Sequence, residues 1–204
     1  MRIGILGGSF DPVHLGHLLL AEQCREQAAL ERVIFMLAAR PPHKLSQPLT
    51  PFHHRQEMLE LAISGCPAFE VGLLERDRPG PSYTVDTLRE LRQRLPDAEL
   101  GLIIGADTLA DLNNWREPLT IAELATLLVA ARPGMPTPTL TPPFRGQWIS
   151  MPLLDIASRD LRARVASGRS IRFFVPRSVE CYIQNHRLYG YPGPKVPSGP
   201  GSAS

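Results

Sequence analysis

Short uninterrupted apolar runs alternate with longer mixed segments along this 204-residue chain. Arg2 to Leu6 reads as a buried strand that stops at Gly7-Gly8. The segment from Leu15 to about Ala28 lacks proline and β-branched residues and predicts a helix. Val33 to Leu37 predicts a second strand, the proline-rich piece from Arg40 to Pro51 a long loop, and Phe52 to about Ser64 another helix. Thr84 is the expected N-cap of the next helix, with Asp86 in its first turn, Arg92 and Arg94 near its end, and a stripe of Val85, Leu88, Leu91 and Leu95. Leu100 to Ile104 and Leu127 to Ala131 are two more buried strands, closed by Gly105 and by Arg132-Pro133-Gly134.

Strands alternating with helices imply parallel βαβ units, and so an α/β, Rossmann-like, doubly wound parallel sheet. Trp148 to Met151 reads as a short strand and Ser158 to Ala166 as a helix, part of a small helical appendage after about Asp155. Pro136 to Pro143 reads as a solvent-facing excursion. Residues 1–190 are expected to form one domain, and residues 191–204, mostly Pro, Gly, Ser and Ala, a disordered tail.

Composition narrows the classes. Apolar residues make up 43% of the chain, as in globular proteins, and 22 basic residues nearly balance 20 acidic ones. A net charge of +2 is far from the cationic surface of a dedicated nucleic-acid binder and fits an anionic small molecule equally well. Cys24, Cys66 and Cys181 lie far apart, without metal or redox spacing, and read as small apolar packers in a reducing compartment. The N-terminus meets glycines too early for a signal peptide, and no apolar stretch approaches bilayer length. A cytoplasmic protein with no membrane partner is the expectation.

The chemistry concentrates in Gly7-Gly8-Ser9-Phe10-Asp11-Pro12-Val13-His14-Leu15-Gly16-His17, directly after the first strand and opening the first helix. Ligands of open α/β sheets bind there, beyond the carboxyl ends of the strands. Gly7 and Gly8 let backbone approach a phosphate, and the first-turn N–H groups face an anion. His14 and His17, three apart, address one bound group. A strand–Gly-Gly–helix connection alone is only a tight turn, and this one is neither a dinucleotide fingerprint nor a Walker loop. Histidines at a helix N-terminus are unfavourable when charged, and an anionic ligand relieves that penalty. Asp11 reads mainly as a turn-stabilising side chain.

The run from Gly7 to His17 resembles the signature of the nucleotidylyltransferases with an H-x-G-H motif, relatives of the class I aminoacyl-tRNA synthetases. Further segments are similar to the bacterial nicotinate-mononucleotide branch: Pro42-His43-Lys44, Arg55-Gln56-Glu57-Met58, Gly80 to Leu88, Ile104 to Asp107 with Asn114-Trp115, and Arg132-Pro133-Gly134. The resemblance runs in order from Met1 to about Tyr189, and makes residues 1–190 a nucleotidylyltransferase domain. It implies adenylyl transfer from ATP to nicotinate mononucleotide, giving nicotinate adenine dinucleotide and pyrophosphate for NAD biosynthesis. The catalytic candidates are His14, His17, Lys44 and Arg162. The ATP-binding candidates add Gly7, Gly8, Ser9, Phe10, Gly105, Asp107, Arg132, Ile156 and Ser158. Lys44, Ser82, Tyr83, Thr84 and Trp115 are the candidates for the pyridine nucleotide.

Each role has a physical basis. Lys44, in the proline-rich loop, offers a point charge rather than a fork to phosphate oxygens, and is otherwise a solvated lysine. The helix opened by Thr84 offers amides to a carboxylate, Trp115 a flat face to a pyridinium ring, and Asp107 an acceptor to ribose hydroxyls. Mg²⁺, held mainly by ATP phosphates, is the expected cofactor, and no nucleic-acid partner is expected. The resemblance implies a possible homo-oligomer.

One place departs from the family pattern. Where I-S-S-T-x-[IL]-R is usual, this chain reads Ile156-Ala157-Ser158-Arg159-Asp160-Leu161-Arg162. Arg159 either adds charge to the phosphate site or forms a surface ion pair. The rival readings are an enzyme of the same fold acting on nicotinamide mononucleotide or pantetheine phosphate, and a non-catalytic nucleotide sensor or RNA-binding relative. The intact His14 and His17 weigh against a sensor, the near-neutral charge against RNA.

Overall fold

In the computed structural model, residues 1–42, 48–131, 137 and 139–193 are described. Six strands form one all-parallel sheet: β1 (Arg2–Gly8), β2 (Arg32–Leu37), β3 (Phe69–Gly72), β4 (Glu99–Gly105), β5 (Thr126–Ala131) and β6 (Gly146–Ser150). Their spatial order is β3-β2-β1-β4-β5-β6, with Ile5 paired to Ile34 on one side and Leu102 on the other. The order therefore reverses at β1 and β4. Both are buried on two faces, which explains why their sequences read as continuous apolar runs.

The side chains nevertheless divide with a period of two. Ile3, Ile5, Ile34, Met36, Leu100, Leu102, Leu127 and Val129 join one core cluster, and Leu6, Val33, Phe35, Leu37, Ile103 and Leu128 the other. The first face is covered by α3 (Thr84–Arg94) through Val85, Leu88 and Leu91, and by α5 (Pro118–Leu124) through Ile121. The second is covered by α1 (Leu15–Gln27), α2 (Phe52–Ile63), α6 (Ser158–Ala166) and α7 (Arg177–Asn185). The C-terminal helices seat on the sheet by burying Leu161, Val165, Val179 and Ile183 in that core. A short α4 (Ala106–Asp111) follows β4 directly.

The expected strands are all present, and α1, α2 and α6 match within one residue. Thr84 is not the N-cap of α3. Tyr83 caps it, because its carbonyl accepts from the N–H groups of Asp86 and Thr87, so Thr84 is the first helical residue. β3 and α5 had no counterpart in the hydrophobic pattern, and α7 was covered only by the helical appendage expected after about Asp155. β3 is a four-residue edge strand, and the N1 proline of α5 reads first as a breaker. Cys24 is buried, and that burial pushes its thiol up to about 12, consistent with a packing role. Among the described residues, no helix is long and apolar enough to cross a membrane. Lys44, Arg132 and residues 194–204 lie outside the described residues.

Candidate active site

Beyond the carboxyl ends of β1 and β4, where the strand order reverses, the structure opens a cavity of about 850 Å³. Gly7 and Gly8 at the end of β1 and Gly105 at the end of β4 border it. A Cβ at Gly7 or Gly105 would meet no heavy atom within 4 Å, so these positions leave open space where a ligand would lie. A Cβ at Gly8 would instead stand 2.9 Å from the Phe10 ring. Phe10, with φ of 44° and 1% exposure, closes the turn and packs edge-on against His17 at 5.0 Å between centroids. It borders the cavity but mainly supports His17.

His14 caps α1 and stacks on His17 with ring centroids 3.7 Å apart. The His14 backbone N–H donates to His17 Nδ1 at 3.3 Å, so Nε2 carries the proton of a neutral His17 ring. His17 lines the cavity, whereas the His14 ring is buried behind it. A Cβ at Gly16 would lie 3.0 Å from His14 Nδ1 and 4.0 Å from the Ile156 Cβ, so the glycine makes room for that ring and Ile156 borders the pair. Two first-turn amides are already engaged: Leu15 N–H donates to Phe174 at 2.9 Å and His17 N–H to His14 at 2.9 Å. The anion-binding capacity of this helix start is correspondingly smaller than the sequence implied.

Among the described residues, His14 Nδ1 finds no hydrogen-bond partner, and burial holds the imidazole down to about 4, from 6.5. The folded protein therefore keeps His14 neutral at pH 5–7. As pH falls from 6.5 toward 4, only the unfolded chain takes up this proton. Stability is full above pH 6.5 and is lost progressively below it, by about 3 kcal/mol in total. Chemical denaturation between pH 7 and 4.5 is expected to show this slope in the native protein and a flatter one in His14→Asn. Equal slopes in the two proteins would contradict the assignment.

The turn carrying the two histidines is anchored by distant groups. Asp11 is 1% exposed; its carboxylate accepts from Tyr189 Oη at 2.7 Å and Thr50 N at 3.2 Å. Burial and that neighbouring carboxylate raise the Tyr189 phenol well above the ordinary tyrosine range. Asp11 thus joins separate segments and is more than a local turn stabiliser. Arg162 Nη1 donates to the Asp11 carbonyl at 2.8 Å, and the Ser158 hydroxyl to the Pro12 carbonyl at 2.9 Å. Ser158 also lines the cavity, whereas Arg162 stands outside its lining. Arg159 pairs with Asp160 at 3.4 Å on an 85% exposed side chain, the surface alternative of the two above.

Tyr83 and Thr84, at the start of α3, and Trp115, after the helical turn Leu112–Asn114, also line the cavity. Helix geometry leaves the N–H groups of Thr84 and Val85 without intrahelical acceptors. Ser82 Oγ accepts from Arg40 N at 3.0 Å and so ties the preceding loop to this helix start. The Arg116 guanidinium lies 4.8 Å over the Tyr83 ring. Asp107, in the first turn of α4, also borders the cavity.

Arg55, a residue the sequence reading left without a role, holds the site from beneath. It is 2% exposed and donates to the carbonyls of Thr50 at 2.8 Å, Ser9 at 3.0 Å and Ala38 at 2.8 Å. Its presence in Arg55-Gln56-Glu57-Met58 was the only available signal, since a helical arginine ordinarily faces solvent.

A parallel sheet with this strand order, a glycine-bordered cavity at its reversal point and stacked histidines at a helix start define a nucleotidyltransferase-type architecture. The chain belongs to the cytidylyltransferase-like family, which matches residues 5–172. A Thermus thermophilus protein described as a probable nicotinate-nucleotide adenylyltransferase is 51% identical over 93% of this chain and 100% of its own length. A Thermomicrobium roseum protein of the same description is 49% identical over 92% and 91%. Within the larger family, the chain thus belongs with the nicotinate-nucleotide adenylyltransferases. The fold is shared with the Plasmodium falciparum nicotinic acid mononucleotide adenylyltransferase complexed with NaAD, at a TM-score of 0.76 and 19% identity, covering 93% of this chain and 98% of that one.

Proposed function

We propose that this enzyme transfers the adenylyl group of ATP to nicotinate mononucleotide, yielding nicotinate adenine dinucleotide and pyrophosphate for NAD biosynthesis. The observation carrying this reading is one cavity with two kinds of wall. The His17 and Gly7-Gly8 side suits phosphates, and the Tyr83, Trp115 and Thr84 side, at the start of α3, suits a flat ring bearing a carboxylate. The relatives' names agree with it.

A phosphate oxygen of the mononucleotide attacks the α-phosphorus, and the bond to the pyrophosphate oxygen breaks. The phosphate is already a nucleophile, so no covalent intermediate or strong general base is required. Catalysis comes from positioning and from donors to the charge that builds on the transferring group. His17 Nε2–H is the donor assigned to that charge. The neutral His14 ring keeps His17 in place, and Arg162 and Ser158 hold the turn that carries both. Lys44 retains its proposed role toward phosphate oxygens, Arg132 its place among the ATP-binding residues, and Asp107 its role toward ribose hydroxyls.

Mg²⁺ would neutralise charge between phosphate oxygens when ATP is bound. Mg²⁺ usually keeps its waters and binds through substrate phosphates with one or two carboxylates, so ATP phosphates are its proposed carriers here.

Pyrophosphate release with ATP and Mg²⁺, with nicotinate and nicotinamide mononucleotide offered in parallel, tests the proposal. Faster release with the acid is expected, by at least about tenfold in kcat/KM. Turnover with the amide alone, or with neither, would overturn the assignment of the acceptor.

A further inference from the structure

Glu75 lies in the connection between β3 and α3, lines the cavity and is 5% exposed. Its Oε1 accepts a 2.6 Å hydrogen bond from the Thr87 hydroxyl on α3. Thr87 Oγ1 in turn accepts from Arg78 Nη1 at 2.9 Å, and Arg78 Nη2 donates to Glu90 at 2.6 Å. A chain of three side chains therefore fixes the carboxyl from one side. The other oxygen, Oε2, is buried and finds no hydrogen-bond partner among the described residues. Leaving a buried carboxyl oxygen without a donor is costly, and native proteins keep such an atom where something else completes it.

We propose that Glu75 is a substrate-binding residue whose Oε2 accepts a hydrogen bond from a ribose hydroxyl of the pyridine mononucleotide. The inference rests on the function proposed above. Thr87 stands one helical turn after Thr84, so Glu75 belongs to the pyridine wall of the cavity. An acceptor there selects among the groups a nucleotide presents. The carboxylate of nicotinate and the phosphate offer acceptors and negative charge, and the pyridinium ring has no N–H. The hydroxyls of its ribose are the donors that remain. A nicotinamide nucleotide adds a second source, the N–H groups of its carboxamide. Glu75 would thus hold the sugar while the α3 amides hold the acid group, fixing the mononucleotide at two points.

Glu75→Gln tests this, because the amide oxygen can still accept from Thr87 while the second acceptor becomes a donor. The measurement is kcat/KM for nicotinate mononucleotide, its 2′-deoxy and 3′-deoxy forms and nicotinamide mononucleotide in both proteins, with direct calorimetric binding of each nucleotide in the absence of ATP. The native protein should lose about tenfold for one deoxy form. Glu75→Gln should lose about tenfold for the parent nucleotide and be indifferent to that hydroxyl, with the KM for ATP unchanged. A deoxy penalty of equal size in both proteins would overturn the proposal. So would a loss confined to nicotinamide mononucleotide, or one confined to ATP. Thr87→Val, which removes the donor orienting Oε1, should weaken the same coupling and serves where the glutamine variant does not fold. Native protein that failed to turn over nicotinate mononucleotide would remove the functional reading and this inference together. Turnover without coupling would remove the inference alone.

Discussion

His17→Ala is expected to lower kcat for adenylyl transfer by about 10²–10³-fold with little change in the unfolding midpoint. His17 is the motif histidine that lines the cavity, and its Nδ1 is engaged by the His14 backbone N–H. That bond selects the Nε2–H tautomer and makes the ring a donor, the polarity needed beside a phosphate that gains charge in the transition state. The side chain is only partly buried, so truncation removes little of the core. Loss in kcat with KM values nearly unchanged would mark an interaction made in the transition state. A rise in the KM for ATP with kcat preserved would demote His17 to ground-state binding. Steady-state kinetics beside a thermal melt separate the two.

Arg55→Met is expected to cost about 3–5 kcal/mol of stability, a fall of roughly 10 °C in the unfolding midpoint. The guanidinium donates to carbonyls in three segments: Ser9 in the histidine-bearing turn, Ala38 after β2 and Thr50 before α2. Methionine fills much of the volume but leaves buried carbonyls unsatisfied. Burial lowers the Arg55 pKa, while Asp11 and Tyr189 act in the opposite sense. The cation is therefore held by these partners against its own desolvation. Arg55→Lys should recover only part of the loss, because an ammonium cannot present the planar fork that meets separated acceptors. Because Ser9 borders the cavity, kcat/KM should fall in both variants even below their melting range. A methionine variant as stable as the native protein would refute this account.

Much of the fold was legible in the chain. Strands buried on both faces write themselves as apolar runs, and β1, β2, β4 and β5 were readable for that reason. α1, α2 and α6 followed from composition and spacing, and the place of the cavity matches the glycines that end a strand ahead of a helix. β3 and α5 were not legible, because a four-residue edge strand and a seven-residue helix carry too few periods to stand out, and α7 was expected only as part of a helical appendage. Thr84 was read one residue off as a cap, since the carbonyl that closes the first turn belongs to Tyr83 and carries no side-chain signature.

The candidate site divides the same way. Gly7, Gly8, His17, Tyr83, Thr84, Gly105, Asp107, Trp115 and Ser158 are local in character, and the structure brings them to one cavity. His14 was expected to face the ligand beside His17, yet its ring is buried and neutral, because only packing decides which of two adjacent imidazoles is desolvated. Arg162 was expected among phosphates; its guanidinium reaches back to the Asp11 carbonyl, 151 residues away in the chain.

The sequence by itself thus determined the strands, the strand–glycine–helix junction and the histidines at its end, since each depends on neighbours within one or two turns of chain. Only the tertiary structure decided which side chains are deprived of water and whom they then bond. Arg55, Asp11 with Tyr189, and Glu75 with Thr87 owe their roles to partners from other segments, and desolvation is a property of the packed assembly that no local pattern encodes.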